Sequence, residues 1–218
     1  MTIKTVIFDF DGVLIDAEPV NVGAAVKTFE VLNIPLSDEE KAKIPGHPSK
    51  VFIPEFLKAR GIIDPAVHAE IWEKNLVNYY ALWPEIAKLP DGLRAVLSGL
   101  RNRNKILAIA TTNLRRTVQV FFDKFGFQEF FGPIVTGEDV HRSKPDPEVY
   151  ILALKQCGVL PAEAIAVEDT DVGVASAKNA GMRCIAIPTP YAGGMDFSSA
   201  DYKISGIAGM LDLDIWRP

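Results

Sequence analysis

The stretch Thr5-Val6-Ile7-Phe8-Asp9-Phe10-Asp11-Gly12 decides how the rest of the chain is read. Its first four residues are β-branched or apolar on both parities, the pattern of a strand covered on both faces, and they give way abruptly to two carboxylates and a glycine. Ile106-Leu107-Ala108-Ile109-Ala110, Ala164-Ile165-Ala166-Val167 and Arg183-Cys184-Ile185-Ala186-Ile187 repeat the pattern much later. Helical patterns stand beside these runs. Leu93, Val96, Leu97 and Leu100, for example, fall at i, i+3, i+4 and i+7, one buried helix face. Strands alternating with helices predict an α/β core, a Rossmann-like parallel sheet with helices on both faces.

Residues 16–88 break that alternation. They offer no good strand but several helical segments, with one apolar stripe at Val22, Val26 and Phe29 and another at Trp72, Leu76, Tyr79 and Trp83. Ser37-Asp38-Glu39-Glu40 has the form of a capping box, and Pro45-Gly46-His47-Pro48 reads as a loop. The expected organisation is therefore one core built from residues 1–15 and 89–218, with an all-helical domain, 16–88, inserted after the first strand.

Composition narrows the class. The 218 residues are 48% hydrophobic and 23% charged, which excludes disorder, collagen-like repeats and coiled coil. A chain of this length buries about 70% of its unfolded surface, so no disulfide or structural metal is needed to hold a core. The net charge of −5 offers no general attraction for nucleic acid or anionic lipid. No apolar stretch approaches the roughly 20 residues that span a bilayer, and Met1-Thr2-Ile3-Lys4 is unlike a signal peptide, so a cytoplasmic protein is expected. Cys157 and Cys184 form no CxxC pattern, and Cys184 reads as a buried, reduced thiol. Tyr191-Ala192-Gly193-Gly194-Met195 matches no phosphate loop and reads as a connector.

Open parallel sheets bind ligands beyond the carboxyl ends of their strands. At those ends stand Asp9 and Asp11, then Thr111, Thr112 and Asn113, then Glu168 and Asp169, with Lys144 before a later helix. Residues two apart in a strand share a face, so Asp9 and Asp11 are expected to look into one site. They read either as a solvated acidic turn or as a nucleophile with a general acid/base, one carboxyl kept protonated by the other. Gly12 would let the backbone turn sharply beneath a substrate. Adjacent acids such as Glu168-Asp169 are costly unless solvated or neutralised, and an all-oxygen set with no His or Cys suits Mg²⁺ better than zinc. Lys144 and Thr111 supply the cation and hydroxyl donor that a phosphoryl group in transfer requires.

These residues resemble the haloacid dehalogenase superfamily of phosphohydrolases over essentially the whole chain. Asp9-Phe10-Asp11-Gly12-Val13-Leu14 is similar to its first motif, Ala110-Thr111-Thr112-Asn113 to the second, Ser143-Lys144-Pro145 to the third and Val167-Glu168-Asp169-Thr170 to the fourth. The helical interval resembles the cap of β-phosphoglucomutase-like and phosphoglycolate phosphatase-like members. The resemblance implies that Asp9 attacks phosphorus, and that Asp11 protonates the leaving oxygen and then activates water. Thr111 and Lys144 would bind the phosphoryl group together with Gly12, Thr112 and Asn113. It also implies Mg²⁺ held by the Asp9 carboxylate, the Asp11 main-chain carbonyl and Asp169, with Glu168 direct or through water. Dehalogenases of the superfamily lack an aspartate at the Asp11 position, so phosphoryl transfer is favoured.

Specificity is expected from the cap, through His47 and Lys50 in its loop and Lys74 on a helix. The expected partner is a small phosphorylated metabolite, with no nucleic acid and no membrane, and the chain is expected to act as a monomer. A sugar-phosphate mutase is the alternative. Against it, Asn21 stands where such mutases have a histidine, and Ser49 and Lys50 stand where they have an arginine. Response-regulator receivers, a non-enzymatic class, share an acidic cluster, Thr and Lys but lack a helical insert. A catalytically silent ligand-binding module fits poorly with Asp9, Asp11, Lys144 and Asp169 all present.

Overall fold

A computed structural model describes residues 2–216. Its strands are β1 (Thr5–Phe8), β2 (Ile106–Ala110), β3 (Ile134–Val135), β4 (Ala164–Glu168), β5 (Arg183–Ala186) and β6 (Tyr202–Lys203). Its helices are α1 (Glu18–Val31), α2 (Asp38–Lys41), α3 (Ser49–Lys58), α4 (Pro65–Ile86), α5 (Leu93–Asn102), α6 (Arg115–Phe125), α7 (Glu148–Cys157) and α8 (Asp171–Asn179). The strands form one wholly parallel sheet in the order β3-β2-β1-β4-β5-β6. The expected α/β class and all four expected strands are present. β3 and β6, two residues each, extend the sheet at its two edges.

The chain separates into two compact units, one running Asp16–Lys88 and the other made of the stretch through Ile15 and that from Leu89 on. In the sheet unit, β1 pairs with β2 on one side and β4 on the other, so the strand order reverses at the centre. The register sets Phe8 level with Ile109 and with Val167. One step further along, Asp9, Ala110 and Glu168 therefore stand in a row at the carboxyl edge, where a parallel sheet opens its ligand crevice.

The two sheet faces differ in bulk. One presents Ile7, Ala108, Ala110, Ala164, Ala166 and Cys184, mostly small, to Val149, Tyr150 and Ala153 of α7 and Val174 and Ala177 of α8. On the other, Phe8 meets Phe131 edge-on at 6.0 Å, and α5 packs on β2 through the expected Leu93, Val96, Leu97 and Leu100 face. Cys184 is wholly buried, and burial pushes its thiol well above the ordinary range, the state of an inert core residue.

In the helical unit, α1 packs along α4. The capping box forms as expected, Ser37 Oγ accepting from the Glu40 amide while Glu40 Oε2 accepts from the Ser37 amide. The stripes do not all match expectation. The buried face of α1 is Val20, Ala24, Ala25, Thr28 and Phe29, with Val22 and Val26 only half-buried. That of α4 is His68, Ile71, Asn75, Tyr79 and Trp83, with Trp72 and Leu76 half-buried. The physical reason is close helix approach, which small residues permit: a Cβ at Gly23 would lie only 3.3 Å from Leu82 of α4. The unit's ends are joined, Asp16 N–H donating to Lys88 O at 2.9 Å.

Candidate active site

β1 ends at Phe8, so strand alternation is not what puts Asp9 and Asp11 together, contrary to expectation. A tight turn does it. The Leu14 and Ile15 amides both donate to Phe10 O, and Gly12, at φ +72, donates back to Ile15 O. Phe10 lies between the two acids, is fully buried and packs edge-on against Phe121 at 5.3 Å, which anchors the turn. Gly12 is needed for space as well as φ. A Cβ there would lie 2.0 Å from Asp169 Oδ2, so the Asp169 carboxylate sits directly against this backbone.

Lys144, in the loop before α7, closes the row set by the sheet register. Its Nζ donates to Asp9 Oδ1 at 2.5 Å, Glu168 Oε1 at 2.7 Å and Ala110 O at 3.1 Å. All three ammonium protons are thereby engaged. Burial pulls this ammonium down, but the charges of Asp9 and Glu168 outweigh it and hold the group above its usual value.

Glu168 is the last residue of β4, not the first beyond it, and is almost fully buried. It has the parity of Ala164 and Ala166, so it points toward α7 and α8. Tyr150 of α7 donates its phenol proton to Glu168 Oε1 at 2.5 Å. On the α8 side, Gly173 leaves the room: a Cβ there would fall 1.9 Å from Glu168 Oε2. Burial first and the Asp9 charge next push the Glu168 carboxyl up to about 7, against the pull of Lys144 and Tyr150. Asp169 is pushed up to about 9 by burial and then by Asp9, Glu168 and Asp11.

Asp11 Oδ2 accepts from Asn113 Nδ2 at 2.9 Å, and the Asn113 amide donates to Thr111 Oγ1 at 3.1 Å. Thr111 is buried and Thr112 exposed. This loop is laced to the one after β3. Gly137 N–H donates to Asn113 O, and a Cβ at Gly137 would lie 2.4 Å from Thr112 O. Asp139 Oδ2 accepts from the Thr136 amide, the Thr136 hydroxyl and Arg115.

The structure thus brings Asp9, Asp11, Gly12, Thr111, Asn113, Lys144, Glu168 and Asp169 to one rim. His47, Lys50 and Lys74 belong to the helical unit. His47 is exposed in its loop, Lys50 lies 4.6 Å over the Trp72 ring, and Lys74 pairs with Glu70 at 2.8 Å. Tyr150, Gly173 and the Ala110 carbonyl were not singled out by sequence. The usable signal for Tyr150 was its place in the apolar Val149, Tyr150, Ala153, Leu154 row of α7, because a buried phenol needs a polar partner.

One ligand oxygen each from Asp9, Glu168 and Asp169 lies within 4.8 Å of the others. Glu168 Oε2 is buried and has no hydrogen-bond partner among the described residues. Four carboxylates here face one ammonium, and Glu168 and Asp169 are raised by burial first and by the neighbouring carboxylates next. An all-oxygen donor set, an orphaned buried oxygen and uncompensated charge fit a hard divalent cation.

A family model described as haloacid dehalogenase-like hydrolase matches residues 6–187. The chain is 34% identical over 231 aligned positions to protein CbbY of Rhodobacter capsulatus, covering 95% of each chain. It is 31% identical to a phosphorylated carbohydrates phosphatase of Thermotoga maritima, over 84% of this chain and 83% of that one. Its fold superposes on a crystalline aspartate-to-asparagine mutant of CbbY of Rhodobacter sphaeroides in complex with xylulose-(1,5)bisphosphate with a TM-score of 0.83 at 30% identity, over 95% of this chain and 96% of that one.

Proposed function

This chain belongs to the haloacid dehalogenase-like hydrolase family, and on that premise we propose that it is a magnesium-dependent phosphatase hydrolysing a small phosphorylated carbohydrate through an aspartyl phosphate on Asp9. The observation that carries the reading is the ammonium of Lys144 spanning Asp9 and Glu168, with Asp169 in the same oxygen cluster and Asp11 on the adjoining turn.

Magnesium held by Asp9, Glu168 and Asp169, with the Asp11 main-chain carbonyl, would offset the phosphate's charge against that of the nucleophile. The remaining chemistry falls to the chain's own residues. An Asp9 carboxylate oxygen attacks phosphorus, and the bond to the leaving oxygen breaks as Asp11 gives that oxygen its proton. Asp11, now anionic, takes a proton from the water that attacks the same phosphorus, which frees inorganic phosphate and restores Asp9. Asn113 fixes the Asp11 carboxylate for both transfers. The Thr111 hydroxyl is assigned to the phosphoryl oxygens, with Gly12, Thr112 and Asn113 beside it, the Gly12 and Asn113 amides already donating to Ile15 O and Thr111 Oγ1. Lys144 acts by its charge, since its protons already serve Asp9, Glu168 and Ala110.

The carbohydrate class is supported by the names of two relatives, one a phosphatase of phosphorylated carbohydrates and one crystallised with a ketose bisphosphate. Choice of the leaving group is assigned to His47, Lys50 and Lys74 of the helical unit, and the enzyme to the cytoplasm as a monomer. The test is release of inorganic phosphate from a panel of sugar phosphates, with Mg²⁺ and with chelator. Metal-dependent release from one or a few sugars is expected. Conversion of β-glucose 1-phosphate to glucose 6-phosphate without free phosphate, given a bisphosphate primer, would instead identify a mutase. No turnover of any phosphate ester would defeat the enzymatic reading.

A further inference from the structure

Glu168 is held from two sides. Its Oε1 takes two donors, Lys144 Nζ at 2.7 Å and Tyr150 Oη at 2.5 Å, while Oε2 is buried and has no hydrogen-bond partner among the described residues. The first turn of α8 approaches so closely that only glycine fits at 173. Lys144 alone cannot define this geometry, because its ammonium is shared among three acceptors. The Tyr150 phenol, on the buried face of α7 and fully enclosed, has one proton and directs it to Oε1.

We infer that Tyr150 is a positioning residue for divalent-cation binding: by occupying Glu168 Oε1 together with Lys144, it reserves Oε2 for the ion or for a water the ion carries. This rests on the cation site proposed above. Without the phenol, the carboxylate keeps Lys144 on Oε1 but loses the restraint that stops it turning and offering either oxygen. Partners that hydrogen-bond a metal-binding side chain in this way are typically worth about 10- to 100-fold in metal affinity.

The test is calorimetric titration of the metal-free protein with Mg²⁺, using wild type, Tyr150→Phe and Asp169→Asn, with thermal melting of each metal-free protein. Tyr150→Phe is expected to weaken Mg²⁺ binding by about 10-fold or more. In assays, more Mg²⁺ should restore its kcat, with KM for the sugar phosphate little changed. A merely structural role would lower the metal-free melting temperature and leave Mg²⁺ affinity within about two-fold of wild type, and that result overturns the inference. Should Tyr150→Phe not fold, wild type carrying ring-labelled tyrosine supplies the answer by NMR. One tyrosine resonance must move in step with Mg²⁺ binding, and no movement overturns the inference. Wild type binding Mg²⁺ while Asp169→Asn does not, with Tyr150→Phe unchanged, defeats the Tyr150 role alone. Wild type failing to bind Mg²⁺ defeats the cation site itself, and the Tyr150 role with it.

Discussion

Lys144 Nζ stands 2.5 Å from Asp9 Oδ1, joining residues 135 positions apart in the chain. The contact follows from strand register. With Phe8 level with both Ile109 and Val167, the next step presents the Asp9 carboxylate, the Ala110 carbonyl and the Glu168 carboxylate side by side, and one ammonium reaches all three. A lysine this buried holds its charge only because those acceptors surround it.

Lys144→Met should therefore destabilise the protein and silence it. Removing one partner of a buried ion pair costs about 3 to 5 kcal/mol because the other charges are left uncompensated. Urea unfolding in chelator should give a loss of at least about 2 kcal/mol, the shortfall reflecting carboxyl groups that take up protons instead. An unchanged midpoint would mean that the ion pairs contribute nothing net.

The metal-free protein should lose stability as pH rises. Glu168 and Asp169, pushed up to about 7 and about 9, bind protons in the folded state that the unfolded chain releases near pH 4. Between those limits the folded state carries more protons, so unfolding free energy falls with increasing pH. Lys144, raised above its usual value, keeps its contribution throughout this window. Melting in chelator from pH 5 to pH 9 should show a declining midpoint, and added Mg²⁺ should restore most at the alkaline end. A midpoint that rises with pH would contradict this charge balance.

Much of the fold was legible because buried parallel strands are apolar on both parities, and the four runs of that kind are all strands. β3 and β6 were not, because two residues carry no period. The stripes of α1 and α4 were right at Phe29, Tyr79 and Trp83 and missed the rest of each buried face for a different reason. Periodicity was read from large apolar side chains, whereas this close-packed pair buries Ala24, Ala25, Thr28 and Asn75. The acids could be found because charge at a strand end is conspicuous, and Thr111 and Lys144 because a hydroxyl and a cation complete the set that a phosphoryl group requires. Tyr150 and Gly173 act through neighbours that only the folded chain supplies.

Gly173→Ala separates local propensity from tertiary fit. Alanine favours a helix over glycine by about 1 kcal/mol, yet its Cβ would fall 1.9 Å from Glu168 Oε2. Overpacking of this kind costs about 1 to 3 kcal/mol, so net destabilisation with weaker Mg²⁺ binding is expected from denaturant titration and calorimetry. A stabilised variant with normal metal affinity would mean that Glu168 can move aside freely.

Asp11→Asn should divide the two half-reactions by leaving group. An aryl phosphate needs little proton donation, so phosphorylation of Asp9 should persist while water attack slows by about 100-fold or more. Stopped-flow assays should then show a burst of phenolate followed by slow turnover. Equal slowing of burst and steady state would assign Asp11 a different part.

The most direct measurement is acid quenching of the enzyme during turnover of a sugar phosphate, followed by peptide mass mapping. One phosphoryl group on the peptide containing Asp9, absent from Asp9→Asn and removed by hydroxylamine, is the expected result. Full turnover with no phosphorylated aspartate, or with the phosphoryl group on another residue, would contradict the assignment of Asp9 as nucleophile.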